Sequence, residues 1–188
     1  MTDLDLAYLS RDAYRAPAPG LIRIEHQDIS ADVIDSTVAV RGTRSYANAK
    51  RDLDILPEAC AQHPELGLCV AGALDAALGL FPQIPDGVDT VTGHSLGGQV
   101  AVILAALLGP RCKLLVTWDA PKAGGIRLAA ATRGFDVLQY RFRGSVVTTW
   151  PLCLDLHVRT PIDIGDWTLD PIEAHSIDRA CGWIAAHT

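Results

Sequence analysis

Some segments of the chain are short apolar runs typical of strands, and others have apolar residues at helical spacing. This alternation predicts strands and helices in turn along the chain. Short apolar runs at residues 88–92, 113–118 and 137–142 have the length of buried strands. Longer apolar runs at residues 66–80 and 96–108 have helical spacing. Strands that alternate with helices predict a mainly parallel sheet with helices on both faces.

Weaker patterns predict the remaining helices and strands. We expect the whole chain, residues 1–188, to form one domain. We predict helices over residues 4–15, 46–56, 126–133 and 175–187, and strands over residues 21–26 and 37–40. Residues 143–170 are predicted to be irregular, because Pro151, Pro161 and Gly165 interrupt them.

Composition narrows the classes of partner. The 188 residues carry a formal net charge of −6 and contain no basic run. This charge argues against nucleic acid or an anionic membrane surface as the main partner.

Five cysteines are present without a C-x-x-C pair, which argues against a disulfide scaffold or a thiolate metal site. We expect buried free thiols in a reducing compartment. The acidic N-terminus lacks the layout of a signal peptide, and no apolar run is long enough to span a membrane. These features predict a protein that is cytoplasmic or released on lysis, with no integral membrane segment.

The chemical centre of the sequence is Gly93-His94-Ser95-Leu96-Gly97, a G-x-S-x-G between a predicted strand and a predicted helix. In that context Ser95 lies on a sharp, strained bend with its hydroxyl exposed. Side chains at positions 93 and 97 would collide with the bend. The backbone N–H of Leu96, at the start of the helix, would point at a developing oxyanion.

Other motifs follow in order along the chain. They are R-G-T at 41–43, Asp52-Leu53, G-H-S-L-G-G at 93–98, W-D-A-P-K-A-G at 118–124 and His175-Ser176. Together they resemble the class 3, fungal-type lipase family of α/β-hydrolases, from about residue 37 to the C-terminus. The resemblance implies a three-layer α/β-hydrolase sandwich with a mainly parallel central sheet. It also implies hydrolysis of a carboxylic ester by a Ser–acid–His triad, with a small-molecule or lipid ester as the partner and no cofactor. The oxyanion hole that it implies is formed by Thr43 and Leu96.

Ser95 needs a base to take its proton, and in this fold the base follows the serine in the chain. The candidates are His157, His175 and His187. The resemblance matches His175 to the catalytic histidine and His157 to a histidine with another role, and His187 is the penultimate residue. We predict that His94 is structural, with its ring packed beneath the bend.

The acid is where this sequence departs from the family. The resemblance places an Asp six residues before a proline, and six residues before Pro151 stands Ser145. A hydroxyl can orient an imidazole but cannot neutralise its positive charge. Three alternatives remain: a displaced carboxylate, with Asp155 first and Asp163 second; a Ser–His dyad that works slowly without an acid; or a degraded site.

Two further carboxylates are interpreted as structural. Asp119 follows a predicted strand, and we interpret it as a strand-end carboxylate bonded to nearby amides rather than as the triad acid. Asp52 matches an Asp that the family keeps after the oxyanion turn, and we predict that it anchors either that turn or the helix beside it.

The substrate expectation rests on residues 45–56, the lid segment of the resembling lipases, which is short and charged here. Such a lid gains little from a lipid–water interface, so we expect an esterase for small or dispersed esters. The same machinery can cleave amides or thioesters. A second hypothesis, which Ser145 favours, is that the protein is a catalytically impaired module for binding or assembly. The sequence contains no H-E-x-x-H motif and no nucleotide-binding glycine motif, so it supports neither a metal site nor a nucleotide site.

Overall fold

A seven-stranded mixed sheet forms the centre of the protein. The computed structural model describes residues 1–16, 20–42, 56–149 and 157–187. The strands of the sheet, in spatial order, are β1 (Ile22–His26), β2 (Ile29–Ile34), β3 (Thr37–Val40), β6 (Thr90–His94), β7 (Leu114–Trp118), β8 (Asp136–Phe142) and β9 (Ile162–Ile164). The pairs β1–β2 and β2–β3 are antiparallel, and every pair from β3 to β9 is parallel. The predicted, mainly parallel α/β sheet is confirmed.

Helices cover both faces of this sheet. They are α1 (Asp3–Asp12), α2 (Ala71–Leu80), α3 (Leu96–Leu108), α4 (Ile126–Ala131), α5 (Pro171–Ala174) and α6 (Ile177–His187). A small separate hairpin pairs β4 (Pro57–Ala59) with β5 (Leu68–Val70). Helices α2 and α3 contribute to the core on one face, and α1 and α6 pack together on the other. The result is a three-layer sandwich.

Successive residues of the central strands point to opposite faces, which is why these strands read as continuous apolar runs. On β7, Leu115 belongs to the core beneath α3, while Val116 and Trp118 belong to the core beneath α1 and α6. All three side chains are fully buried. A strand with two buried faces leaves little freedom to the residue that follows it, which here is Asp119.

The N-terminal helix is tied to the sheet by buried polar contacts as well as by packing. Ser10 Oγ lies 2.9 Å from Thr92 Oγ1 on β6, which also accepts a hydrogen bond from Trp118 Nε1 at 3.1 Å. The Tyr140 hydroxyl donates to Asp3 at 2.5 Å. Helix α1 is therefore fixed against the strands that end at the candidate site.

Four of the described strands, β2, β4, β5 and β9, were not predicted from the sequence. The pattern of β2 was obscured by Asp32, a buried carboxylate that pairs with Arg23 on the adjacent strand at 2.7 Å. β9 is only 3 residues long. The helix predicted over residues 66–80 begins only at Ala71, because residues 68–70 pair with β4 as strand β5. The helix predicted over residues 46–56 lies outside the described residues except for Leu56.

The described cysteines agree with the expectation of buried free thiols. Cys60, Cys69, Cys112 and Cys181 are buried and unpaired, and Cys153 lies outside the described residues. Burial raises the pKa of Cys69 and of Cys112 to about 12, so both thiols stay protonated at neutral pH. In the described parts of the chain, no helix combines the length and the apolar character needed to cross a membrane.

Replacing Gly97 by Ala should destabilise the fold where β3 meets α3. A Cβ at this position would lie 2.3 Å from the Val40 carbonyl oxygen and 2.7 Å from the Gly42 nitrogen, both of them backbone atoms. We expect a loss of about 1–3 kcal/mol in the free energy of unfolding, measured by urea denaturation. The control is Gly134→Ala, where a Cβ meets nothing within 4 Å. Equal stability of the two variants would contradict this packing.

Candidate active site

Ser95 occupies a strained turn between β6 and α3. Its φ of 57° and ψ of −131° lie in a region that residues with a side chain rarely adopt. The backbone N–H of Ser95 donates to the Trp118 carbonyl at 2.9 Å, which fixes the turn to the end of β7. The serine is only partly buried, whereas both neighbours in the chain are buried. The strained bend predicted for Ser95 is present, and the serine at its tip is only partly buried.

Two glycines make this turn possible, as predicted. A Cβ on Gly93 would lie 2.4 Å from the Gly97 carbonyl oxygen, and a Cβ on Gly97 would reach the backbone of residues 40–42. Real Cβ atoms do not approach backbone that closely, so neither position accepts a side chain without a shift. The G-x-S-x-G spacing is therefore a steric requirement of this bend.

His175 is brought to the serine from the far end of the chain. It follows α5, whose first turn is capped by Asp170, and it precedes α6. Its Nε2 lies 2.7 Å from Ser95 Oγ, and its side chain is 15% exposed. The structure thus joins the two residues that the sequence analysis proposed as nucleophile and base.

Asp119 contacts the other nitrogen of this imidazole. Its Oδ2 lies 2.5 Å from His175 Nδ1, and its side chain is completely buried. A carboxylate can only accept here, so Nδ1 carries the proton and Nε2 is left to accept from the Ser95 hydroxyl. The three groups form a continuous chain of hydrogen bonds in the orientation that general-base activation of a serine requires.

The carboxylate of Asp119 is held by its surroundings on both oxygens. Oδ1 accepts from the backbone N–H of Phe142 at 3.0 Å, and Oδ2 accepts from the Ser145 hydroxyl as well as from His175. The backbone of Asp119 has a φ of 48°, a left-handed conformation that Asp tolerates better than most residues. Hydrogen bonds from several donors are what allow a charged group to remain in a buried site.

This arrangement corrects the sequence analysis on the carboxylate beside His175. Asp155, the first candidate, lies outside the described residues, and Asp163 pairs with Arg141 at 2.6 Å instead. Ser145 does lie at the site, but it contacts the carboxylate and not the imidazole. Asp119 bonds to a nearby amide, as predicted, but it is also the carboxylate that contacts the His175 imidazole. The resemblance places this carboxylate after β8, whereas in this structure it directly follows the neighbouring strand β7.

The predicted oxyanion donors are described only in part. Leu96 is the first residue of α3, where backbone N–H groups have no partner within the helix. Thr43 and Asp52 lie outside the described residues, so their roles stay predictions. Gly42, which precedes Thr43, is buried, and a Cβ on it would lie 2.7 Å from the His94 carbonyl oxygen. The chain therefore enters the predicted oxyanion segment directly beside the Ser95 turn.

His94 supports the site from below. It is buried, and its ring centroid lies 4.7 Å from that of His175. His94 Nε2–H donates to the His175 backbone carbonyl at 2.8 Å, because a carbonyl can only accept. Its Nδ1 therefore accepts from the Tyr14 hydroxyl at 2.9 Å, and this hydroxyl also bonds to the backbone of Gly42. One hydrogen-bond chain thus connects the predicted oxyanion segment with the backbone of the candidate base.

The remaining candidate histidines bond elsewhere. His157 Nε2–H donates to the Thr148 carbonyl at 2.7 Å, and burial lowers its pKa. His187 lies in the last turn of α6, where Nδ1 bonds to the Trp183 carbonyl at 2.7 Å. Neither ring bonds to Ser95, which agrees with the sequence-based choice of His175.

Neither metal ligands nor a surface groove points to a different site in the described residues. Within residues 1–16, 20–42, 56–149 and 157–187, no group of three or more His, Cys, Asp or Glu could hold a metal ion. A surface groove of about 560 Å³ lies between the C-terminal end of α3 and α4, and His63, Glu65 and Arg127 contribute polar groups to it. Because Ser95 lies at the opposite end of α3, about 20 Å away, this groove is not part of the site.

The pH dependence of stability should report the buried state of His94. Burial, and then the nearby charge of His175, hold the pKa of His94 well below 6.5. Below that pH the unfolded chain binds a proton that the folded state does not, so stability falls as the pH drops from 7 towards 5. In His94→Gln we expect this slope to be smaller, by up to about 1.4 kcal/mol per pH unit.

The measurement is urea unfolding at several pH values between 5 and 7. His187→Gln, an exposed position on the last turn of α6, is the matched control and should keep the wild-type slope. If His94→Gln and wild type lose stability in parallel, a neutral, buried His94 is ruled out.

Comparison with known proteins gives a consistent result for the fold. No family model matches the sequence, and no curated protein matches it. Among solved structures, a lipase from Rhizopus microsporus var. chinensis superposes with a TM-score of 0.62 at 21% identity, covering 79% of this chain and 68% of that one. A triacylglycerol lipase from Penicillium expansum gives a TM-score of 0.56 at 23% identity, covering 82% and 76%.

A third neighbour is the Rhizomucor miehei lipase–propeptide complex, with a TM-score of 0.57 at 20% identity. The match covers 79% of this chain but only 61% of the neighbour, so this chain spans less than two thirds of that protein's length. At these sequence identities, the structural matches show the fold alone. The chain therefore has the α/β-hydrolase fold of the fungal class 3 lipases, as the motifs in its sequence predicted.

Proposed function

We propose that this protein is a serine hydrolase of carboxylic esters. Ser95 acts as the nucleophile, His175 as the general base and Asp119 as the acid that orients and neutralises the imidazole. The observation that carries the proposal is the pair of hydrogen bonds on His175, 2.7 Å from Nε2 to Ser95 Oγ and 2.5 Å from Nδ1 to Asp119 Oδ2. In such an arrangement each group has the position that its role requires.

The reaction follows from these contacts. Ser95 Oγ attacks the ester carbonyl while His175 Nε2 takes its proton, and the resulting imidazolium is stabilised by the Asp119 carboxylate. The developing oxyanion accepts from the Leu96 N–H, with Thr43 as the proposed second donor. The imidazolium then protonates the departing alcohol. Water, activated by the same imidazole, releases the acid from the acyl-enzyme and restores the Ser95 hydroxyl.

The alternative of a non-catalytic binding module has lost its main support. It rested on Ser145 standing where a carboxylate was expected, which would leave the imidazole without a charged partner. Asp119 is such a partner, and it is buried and hydrogen-bonded on both oxygens. Burying a carboxylate against an imidazole is unfavourable without compensation, so its presence favours a working site over a degraded one.

Ester hydrolysis is favoured over amide or thioester cleavage by the neighbours in fold. The Penicillium expansum protein is a triacylglycerol lipase, and the other two named above are lipases. The predicted preference for small or dispersed esters also stays a prediction, since residues 45–55 of the segment that carries it lie outside the described residues.

Replacing Asp119 tests the proposed triad. Asp119→Asn should lower kcat for a short-chain p-nitrophenyl ester about 10⁴-fold, because the amide favours the wrong imidazole tautomer. Ser95→Ala should remove activity and prevent labelling by a fluorophosphonate probe. The matched controls are Asp163→Asn and Asp155→Asn, which should both retain activity. If Asp155→Asn abolishes turnover while Asp119→Asn does not, the acid has been assigned to the wrong residue.

A second candidate, action at a lipid–water interface, is favoured by one feature of the segment that leads to His175. The side chains of Trp167, Leu169 and Ile172 are 76%, 98% and 84% exposed. Three large apolar side chains so close together in sequence and so exposed are unusual for a surface that faces only water. Such a segment could contact an aggregated ester beside the catalytic histidine.

Rates measured across the solubility limit of an ester separate these two candidates. For a small-ester hydrolase, the rate should saturate smoothly as the substrate begins to aggregate. A severalfold rise at that point, reduced in Trp167→Ser and Leu169→Ser, would contradict the small-ester prediction and favour the interface. The control is Ile22→Ser, which changes an apolar side chain 57% exposed on β1.

A further inference from the structure

The C-terminal end of α1 is fixed by a buried ion pair between β1 and β2. Arg23 Nε lies 2.7 Å from Asp32 Oδ1, and the side chain of Asp32 is only 6% exposed. The same guanidinium donates to the backbone carbonyl of Ala13 at 3.3 Å and to that of Arg15 at 2.9 Å. These two carbonyls flank Tyr14 in the chain, so the backbone of Tyr14 is held from both sides.

The Tyr14 hydroxyl lies at the entrance of the predicted oxyanion segment. A Cβ on Gly42 would lie 2.2 Å from the Tyr14 hydroxyl oxygen, so a glycine is needed here for the hydroxyl to approach the backbone. The hydroxyl accepts from the Gly42 N–H and donates to His94 Nδ1, which lies 2.9 Å away. Burial raises the pKa of Tyr14, so the hydroxyl keeps the proton that it donates at neutral pH.

His94 connects this hydroxyl with the proposed base. Its Nε2–H donates to the His175 backbone carbonyl at 2.8 Å. A neutral imidazole makes both of these bonds only when Nδ1 accepts and Nε2 donates, which is the tautomer that the Tyr14 hydroxyl favours. The side chain of His175 in turn places its own Nε2 2.7 Å from Ser95 Oγ. One ring therefore separates the Tyr14 hydroxyl from the residue that contacts the nucleophile.

We propose that Tyr14 is a positioning residue for the His175 imidazole and that it acts through the ring of His94. This inference rests on the proposed function. Tyr14 and Arg23 precede residue 37, where the resemblance to the lipase family begins, so no motif of that family assigns them a role. A general base must stay within hydrogen-bond distance of the hydroxyl that it activates, and a shift of about 1 Å can cost about 10²-fold in rate.

The effect of losing the hydroxyl follows from the groups that it leaves behind. Without it, the Gly42 N–H and His94 Nδ1 lose a partner, and a buried polar group without a partner favours any shift that supplies another one. A rotation of the His94 ring would release the His175 carbonyl. Because the hydroxyl is not expected to contact the ester, the change should appear in kcat and not in KM.

The positioning role is tested with Tyr14→Phe, which removes the hydroxyl and keeps the ring. We expect kcat for a short-chain p-nitrophenyl ester to fall about tenfold, with KM within about threefold of wild type. The matched control is Tyr8→Phe on the same helix, where the ring lies against Arg11, and it should change neither constant. Both variants are assayed well below their urea midpoints, so that folded proteins are compared. Equal kcat values for the two variants would overturn the positioning role.

The route through His94 is tested by a pair of amides, His94→Gln and His94→Asn. The longer Gln side chain can place an N–H near the position of Nε2 and donate to the His175 carbonyl, whereas Asn reaches only the position of Nδ1. His94→Gln should therefore keep kcat within about tenfold of wild type, and His94→Asn should lose about 10²-fold. Adding Tyr14→Phe to His94→Asn should lower kcat no further. A further tenfold loss would show that Tyr14 acts by another route.

Fluorophosphonate labelling of Ser95 separates a failure of this inference from a failure of the proposed function. The probe reports activation of the Ser95 hydroxyl whether or not the protein cleaves esters. If wild type is labelled but hydrolyses no ester, and Tyr14→Phe is labelled about tenfold more slowly than Tyr8→Phe, the proposed function is refuted and the inference stands. If wild type cleaves esters and all three proteins are labelled at one rate, the inference is overturned and the proposed function stands. If wild type is neither labelled nor active, both are wrong.

Discussion

The contact between a buried carboxylate and an imidazole is the interaction on which this site depends. Asp119 is fully buried, and its Oδ2 lies 2.5 Å from His175 Nδ1. That contact decides which imidazole nitrogen carries the proton, and therefore whether Nε2 can accept from Ser95. A buried carboxylate is unfavourable unless it is well hydrogen-bonded, and here Phe142 and Ser145 supply the further donors.

The sheet explains why these groups meet. Strands β6, β7 and β8 are parallel neighbours, so Ser95, Asp119 and Ser145 all follow strand ends at one edge. His175 arrives from another part of the chain and is held from below by His94, whose ring bonds to its backbone carbonyl. The Tyr14 hydroxyl extends this support to the N-terminal segment. The geometry of the site is thus a consequence of core packing on both faces of the sheet.

Features that depend on local spacing could be predicted from the sequence, whereas features that depend on contacts between distant parts of the chain could not. Ser95 was predicted because its bend requires glycines at fixed local spacing. His175 was predicted because chain order left three histidines and the resemblance to the lipase family selected this one. Asp119 was underrated because its contact with the imidazole depends on the register of two strands and on a left-handed φ, neither of which has a local signature. Strand β2 was hidden for a similar reason, since the charge of Asp32 is neutralised by a partner on another strand.

The imidazole tautomer of His175 in the resting protein is the most direct test of this account, and ¹⁵N NMR of the labelled imidazole measures it. With Asp119 present, the proton should reside on Nδ1 and leave Nε2 unprotonated towards Ser95. Replacing Asp119 by Asn should move the proton to Nε2, because the amide can donate to Nδ1. A tautomer that is the same in both proteins would show that Asp119 does not govern the imidazole, and the proposed site would then lose its basis.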